Sequence, residues 1–232
     1  MIVNETNILT KYSAILTERN IQACEIMTFN DWLDNSADPI KLAPEKNKYS
    51  SINIKLYIEG KNENEILTKI SEILNICKSG IIKFNDIDYF YNFFIESHEE
   101  ELIADFAYTL TLNLKATYKF LKENTVSFTD YIKNINVQGN IKTPCIIDIL
   151  PSIDLVDLTI NGLSDDPIVI KNLKQGKKVI LNGEEGTITQ EGKNKFSDTD
   201  LWEFPTLKPG LNTIKLSKNS CNVSIKYKSR FL

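Results

Sequence analysis

The chain has 232 residues, 42% hydrophobic and 25% charged, ordinary values for a soluble globular protein with room for one large domain or two of common size. A net charge of −4 and a pI near 5.3 argue against a nucleic-acid surface, which is usually basic. No apolar run approaches the roughly 20 residues that span a bilayer, and the start MIVNETNILTKYS lacks the basic head and apolar core of a signal peptide, so folding in a cytoplasm is expected.

Residues 1–48 carry the weakest pattern. Ile8, Thr10, Tyr12, Ala14 and Leu16 alternate as a strand would, and Ile26 to Leu33 suits a strand or a short helical turn. Asp34 to Lys48 holds Pro39 and Pro44 among polar residues and reads as a loop. From Ser51 the signal sharpens. Ile52, Ile54, Leu56 and Ile58 alternate in a strand. Asn62 can cap a helix that opens on Glu63 and Glu65, and Ile66, Leu67, Ile70, Ile73, Leu74 and Cys77 mark one apolar face. Gly80 is placed to end that helix, the only substantial one expected. Ile81 to Phe84 and Ile87 to Ile95 read as strands, and His98-Glu99-Glu100-Glu101 as an exposed turn. Ala104 to Ala116 then keeps one apolar parity for longer than the usual strand, so it either crosses a whole sheet or reaches toward a partner.

Val137 to Thr143 marks a boundary, giving domains at 1–137 and 138–232. Beyond it, short strands alternate with turns: Pro144 to Leu150, Leu155 to Ile160, Ile168 to Asn172, Lys178 to Leu181, Gly186 to Gln190, and a closing pair around Ile214 and Val223. Asn161-Gly162 and Asn182-Gly183 favour turns, Pro209-Gly210 suits a type II turn, and Ser217 to Ser220 separates the last two strands as a hairpin loop would. This is the pattern of a β-sandwich or jelly roll. The expected fold is therefore mainly β with one substantial helix: an N-terminal β-barrel-like or α+β domain, then a C-terminal sandwich.

The chemistry inventory is sparse. The sole histidine, His98, begins a His-Glu sequence resembling a zincin, but position 102 is Leu where the second ligand belongs. Gly60-Lys61, Gly176-Lys177 and Gly192-Lys193 lack the earlier glycine of a phosphate loop. Asn182 to Gly186 reads as a turn, and Asp198 with Asp200 lacks the further oxygens of a calcium loop. Cys24, Cys77, Cys145 and Cys221 are far apart and read as small core residues. Trp32 and Trp202 read as core or interface packing, with a sugar-stacking platform as the rival use of Trp202. No catalytic, cofactor or metal residue is assigned, and an enzyme is not expected.

Several C-terminal segments, taken in order, resemble the distal tail proteins of long-tailed bacteriophages and similar hub proteins of prophage particles. They are Leu158 to Gly162, Val179 to Gly183, Gly192 with Asn194 and Phe196, Trp202 to Pro205, Leu207 to Asn212, and the strand from Val223 to Arg230. The resemblance implies a galectin-like C-terminal sandwich and an N-terminal ring-forming domain. It implies a structural, non-enzymatic protein of the virion tail tip: a homo-hexameric ring joining the tail tube protein to tail-associated or baseplate hub proteins, with a receptor-binding protein as a further neighbour. Neither nucleic acid nor membrane is an implied partner. The 104–116 strand becomes the candidate for pairing between subunits. Relatives that bind sugars carry inserted modules, for which 232 residues leave no room. The alternative reading is a carbohydrate-binding module that contributes to host adsorption.

Overall fold

The computed structural model describes the whole chain, residues 1–232. It divides into two compact units, residues 1–120 and 121–231.

The first unit runs β1 (Ile2–Val3), β2 (Thr6–Asn7), α1 (Ile8–Tyr12), β3 (Ile15–Ile21), β4 (Ile26–Asp31), β5 (Ile40–Asn47), β6 (Ser50–Glu59), α2 (Glu63–Ile76), β7 (Ser79–Lys83), β8 (Phe90–Ala104) and β9 (Ala107–Phe120). Its main sheet is antiparallel and open, in the order β2-β1-β7-β8-β9-β6-β3. It is the α+β form of the expected domain, since no strand pairing closes it into a barrel. The period-two residues Ile52, Ile54, Leu56 and Ile58 on β6 share a core with Leu110, Leu112 and Leu114 on β9. The α2 residues Ile66, Ile70 and Ile73 complete that core. The Asn62 side chain accepts a hydrogen bond from the Glu65 amide at 2.9 Å, satisfying one of the orphan donors of the first helical turn.

Four local expectations are corrected here. Ile8 to Tyr12 is a helix, capped when the Asn7 side chain accepts from the Thr10 amide, and the strand follows from Ile15. Residues 40–47 are a strand; Pro44 is tolerated because β5 has a partner on one side only. Gly80 lies within β7, and the helix already ends at Cys77. A Cβ on Gly80 would sit 1.9 Å from Asn4 Oδ1, whose side chain bonds the Ser79 carbonyl and the Ile81 amide. The acidic run His98 to Glu101 is not a turn but the outer half of β8; the turn comes at Asp105-Phe106, where Phe106 takes φ +59.

The second unit runs β10 (Asn124–Phe128), β11 (Ile132–Val137), β12 (Thr143–Pro151), β13 (Leu155–Asn161), β14 (Ile168–Leu173), β15 (Val179–Asn182), β16 (Thr187–Gln190), β17 (Lys193–Asn194), β18 (Thr199–Asp200), β19 (Thr206–Leu207), β20 (Gly210–Leu216) and β21 (Cys221–Tyr227). One sheet has the order β10-β21-β12-β15-β16-β17, and the other β11-β20-β13-β14-β18. Alternate residues Cys145, Ile147, Ile149, Val223 and Ile225 of the first share a core with Leu158, Ile160, Ile170 and Ile214 of the second, as in a β-sandwich.

Residues 217–220 are therefore not a hairpin loop. β20 pairs with β11 and β13, β21 pairs with β10 and β12, and the loop carries the chain from one sheet to the other. Residues 124–137 stand on the sandwich side of the boundary expected after residue 137, because β10 extends β21 and β11 extends β20. Cys145 and Cys221 are buried in the sandwich and Cys77 beneath α2, whereas Cys24 is only half-buried. Burial pushes the Cys77 thiol up to about 12, which keeps it a neutral, hydrophobe-like group.

Candidate assembly surface

Surface that a fold leaves unsatisfied marks where a chain can meet a partner, and the first unit has two such features. The first is the β4–β5 arm. These strands pair only with each other, from Ile26↔Asn47 to Asp31↔Ile40, with register shifts around Phe29. Neither strand contains a single buried residue. Ile26, Trp32, Leu33 and Leu42 are all exposed, Trp32 by 63% and Leu42 by 66%. The arm is fastened at its root: Gln22 N donates to Ser51 O at 2.9 Å, and Lys48 N to Glu25 O at 2.7 Å. The Cys24 thiol donates to Lys48 O at 2.8 Å. An isolated two-stranded ribbon is marginal in water, so an arm with this much exposed apolar surface gains its stability when something covers it.

The second feature is the outer half of β8. β7 pairs with β8 only between Phe90 and Phe94. Beyond that, β8 keeps β9 on one side as far as Ala104↔Ala107, and its other edge is open. An open edge presents unpaired backbone donors and acceptors for strand addition. Glu96, His98, Glu99, Glu100 and Glu101 line this stretch, and Leu102, Ile103 and Phe106 form an exposed apolar tip. The acids bias the edge toward a basic or otherwise complementary partner. The strand expected to pair between subunits, 104–116, is instead interior: β6 occupies one side of Ala107 to Ala116 and β8 the other. Its parity pattern marks a core strand, and the free edge belongs to its neighbour.

The far edge of the sheet, β3, is held by Arg19. Its guanidinium donates to both oxygens of Asp86 at 2.6 Å and lies 4.6 Å from the centre of the Phe84 ring. This bidentate pairing lowers the Asp86 carboxyl to about 2.

The other residues singled out by sequence do not converge. His98 faces solvent on β8, 3.9 Å from Glu100 and opposite Leu112 in register. Asp198 bonds Lys195 and Asn172, while Asp200 bonds Lys171 at 2.6 Å, so the two carboxylates serve separate ion pairs. No group of three or more His, Cys, Asp or Glu side chains has an arrangement that would hold a metal ion. Asn182 to Gly186 is a turn in which the Asn182 side chain accepts from the Glu184 and Glu185 amides. Trp202 is 87% exposed, so it does not pack into the sandwich core, and Trp32 sits at the end of the arm. Neither surface tryptophan gave a sequence signal for its exposure, because a large apolar residue in a β pattern reads as core.

Comparison with known proteins matches residues 138–231 to the siphovirus-type tail component, C-terminal domain. No curated protein sequence matches the chain. Among solved structures, the chain is similar to the SPP1 Dit protein, described as a paradigm of the hub adsorption apparatus in phages that infect Gram-positive hosts. The TM-score is 0.81 at 13% identity, covering 100% of this chain and 98% of that one. It is also similar to chains of the phage P2 baseplate in its activated conformation, with calcium and with strontium. Both give a TM-score of 0.55 at 13% identity over 95% of this chain and 91% of theirs. At such identity these structures show a shared fold, which runs through both units, while the sandwich carries the family match. Residues 138–231 are thus similar to the C-terminal domain of siphovirus-type tail components, and the chain as a whole shares its fold with a phage hub protein.

Proposed function

We propose that this chain is a structural protein of the virion tail tip, whose first unit closes into a homo-hexameric ring between the tail tube protein and the tail-associated or baseplate hub proteins. The observation that carries the reading is the β4–β5 arm, an ordered element with no buried residue. It buries its apolar side chains only against another chain. The open, acidic edge of β8 on the same unit supplies a second docking element. Two separated docking elements on one unit suit a head-to-tail contact, which generates a ring when its rotation closes. The fold shared with a hub protein and with baseplate chains supports the same role, and we place its assembly in the host cytoplasm as part of this proposal. Native mass spectrometry and negative-stain imaging test it, with and without tail tube protein. Closed six-membered rings are expected. A monomer under both conditions, at concentrations well above those in an infected cell, sinks the proposal.

A second reading is favoured by one observation. Trp202 is 87% exposed on the sandwich, and an indole free of the core can stack on a sugar ring. In this reading the second unit also contacts host-surface glycans. A glycan array tests it, and binding unaffected by Trp202→Ala removes it.

A further inference from the structure

The β16–β17 hairpin turns on Glu191 and Gly192, with φ of +50 and +78, the signs a two-residue type I′ turn needs. That turn sets Gln190 opposite Lys193. Below it lies a cavity of about 330 Å³ whose lining includes Lys174, Lys177, Lys193 and Lys195. Glu191 and Asp198 are the acids there, so the lining carries two more positive than negative charges.

Two of the lining groups have donors without a receiver. Lys195 is only 5% exposed; its ammonium donates to Asn172 O at 3.2 Å and to Asp198 Oδ2 at 2.8 Å, leaving the third N–H unused. The Gln190 side-chain nitrogen is shut off from solvent and has no hydrogen-bond partner, a costly state for a buried donor. Lys193, on the rim, forms no ion pair, whereas Lys174 and Lys177 are held by Asp154 and Glu191. Unused donors among the lining residues, under a net positive charge, fit an oxyanion.

We infer that the cavity beneath the β16–β17 turn binds the phosphate or carboxylate group of an anionic saccharide. The saccharide part rests on the glycan reading of the second unit; the anion part rests on the cavity alone. The test is calorimetric titration of the full chain at low and moderate salt with glucose 1-phosphate, glucuronate, glucose and inorganic phosphate. At least one charged sugar is expected to bind more tightly than glucose and inorganic phosphate, more weakly as salt rises. The better of the two identifies the charged group as phosphate or carboxylate. Lys193→Glu, a change on the exposed rim, is expected to weaken that binding about tenfold or more. Lys177→Glu provides a second rim variant should the first disturb the turn. Unchanged affinity in both variants overturns the proposal. So does inorganic phosphate binding as tightly as the charged sugars, which marks an adventitious ion only. Glucose binding equally well and losing its affinity only in Trp202→Ala overturns the anion site while sparing the glycan reading. No binding of any of the four ligands overturns both.

Discussion

Leu42→Asp separates surface that the subunit needs for itself from surface it offers to others. Leu42 is 66% exposed on a strand with no buried residue, so the free subunit has little to lose. Surface substitutions of this kind usually change folding stability by no more than about 0.5 kcal/mol. If a neighbouring subunit covers the arm, the same leucine contributes about 1.5–3 kcal/mol of burial. A carboxylate in its place must also be desolvated without a partner. A loss of at least ~2 kcal/mol per interface follows, a drop of about 30-fold in association. A closed ring repeats the contact at every interface, so assembly falls far more steeply than folding. The assay is paired: chemical denaturation of the dilute subunit, and native mass spectrometry across a concentration series with tail tube protein present. The expected result is an unchanged denaturation midpoint with loss of rings. Rings at wild-type concentrations, or a subunit destabilised by more than about 1 kcal/mol, would refute the assignment of the arm as intersubunit surface.

Other perturbations probe the scaffold. A Cβ on Gly183 would lie 2.4 Å from Pro205 O and 2.7 Å from Cys145 O, both backbone atoms. Gly183→Ala is therefore expected to destabilise the sandwich by about 1–3 kcal/mol, and an unchanged denaturation midpoint would contradict this packing. Asn62→Ala removes the α2 cap and should cost about 1 kcal/mol, read as a lowered thermal midpoint. The Asp86 carboxyl titrates at about 2 when folded against an ordinary 3.8. Its contribution is thus complete above pH 3.8 and fades as pH falls toward 2. Asp86→Asn should reduce the loss of stability between pH 5 and 2.5; parallel pH profiles for variant and wild type would show that the pairing with Arg19 is inert.

What was legible in the sequence was whatever buries one face. The strands at 52–58, 144–150, 155–160 and 168–172 emerged from alternation, because each has the core on one side and water on the other. The helix from Glu63 emerged from its spacing and its Asn62 cap. Partner choice was not legible. Val223 and Ile214 alternate in the same way whether β20 and β21 pair with each other or face each other across the core. The Ser217 to Ser220 link satisfies either geometry, and only long-range pairing with β12 and β13 decides it. The β8 error had a different cause. Four polar residues in a row suggest a turn when each strand face is assumed to be either core or solvent, but beyond Glu96 both faces of β8 are exposed.

That same absence of burial explains why the assembly surface was the least readable part. The β4–β5 arm mixes Ile26, Leu33, Ile40 and Leu42 with lysines and prolines, and no period emerges because no intrachain core sorts its two faces. A pattern would exist only relative to the covering partner, whose surface is not encoded in local alternation. The hydrophobic content of 26–42 is nonetheless informative once the fold is known, because it is surplus to what the first unit buries. For Trp202 the surplus is one residue, and the sandwich core is complete without it. Apolar residues that a finished core does not use carry a solubility cost, which is why we propose these positions as the chain's contact surface. The arm supplies several side chains together, enough for a protein interface. Trp202 supplies one ring, on the scale of a single sugar.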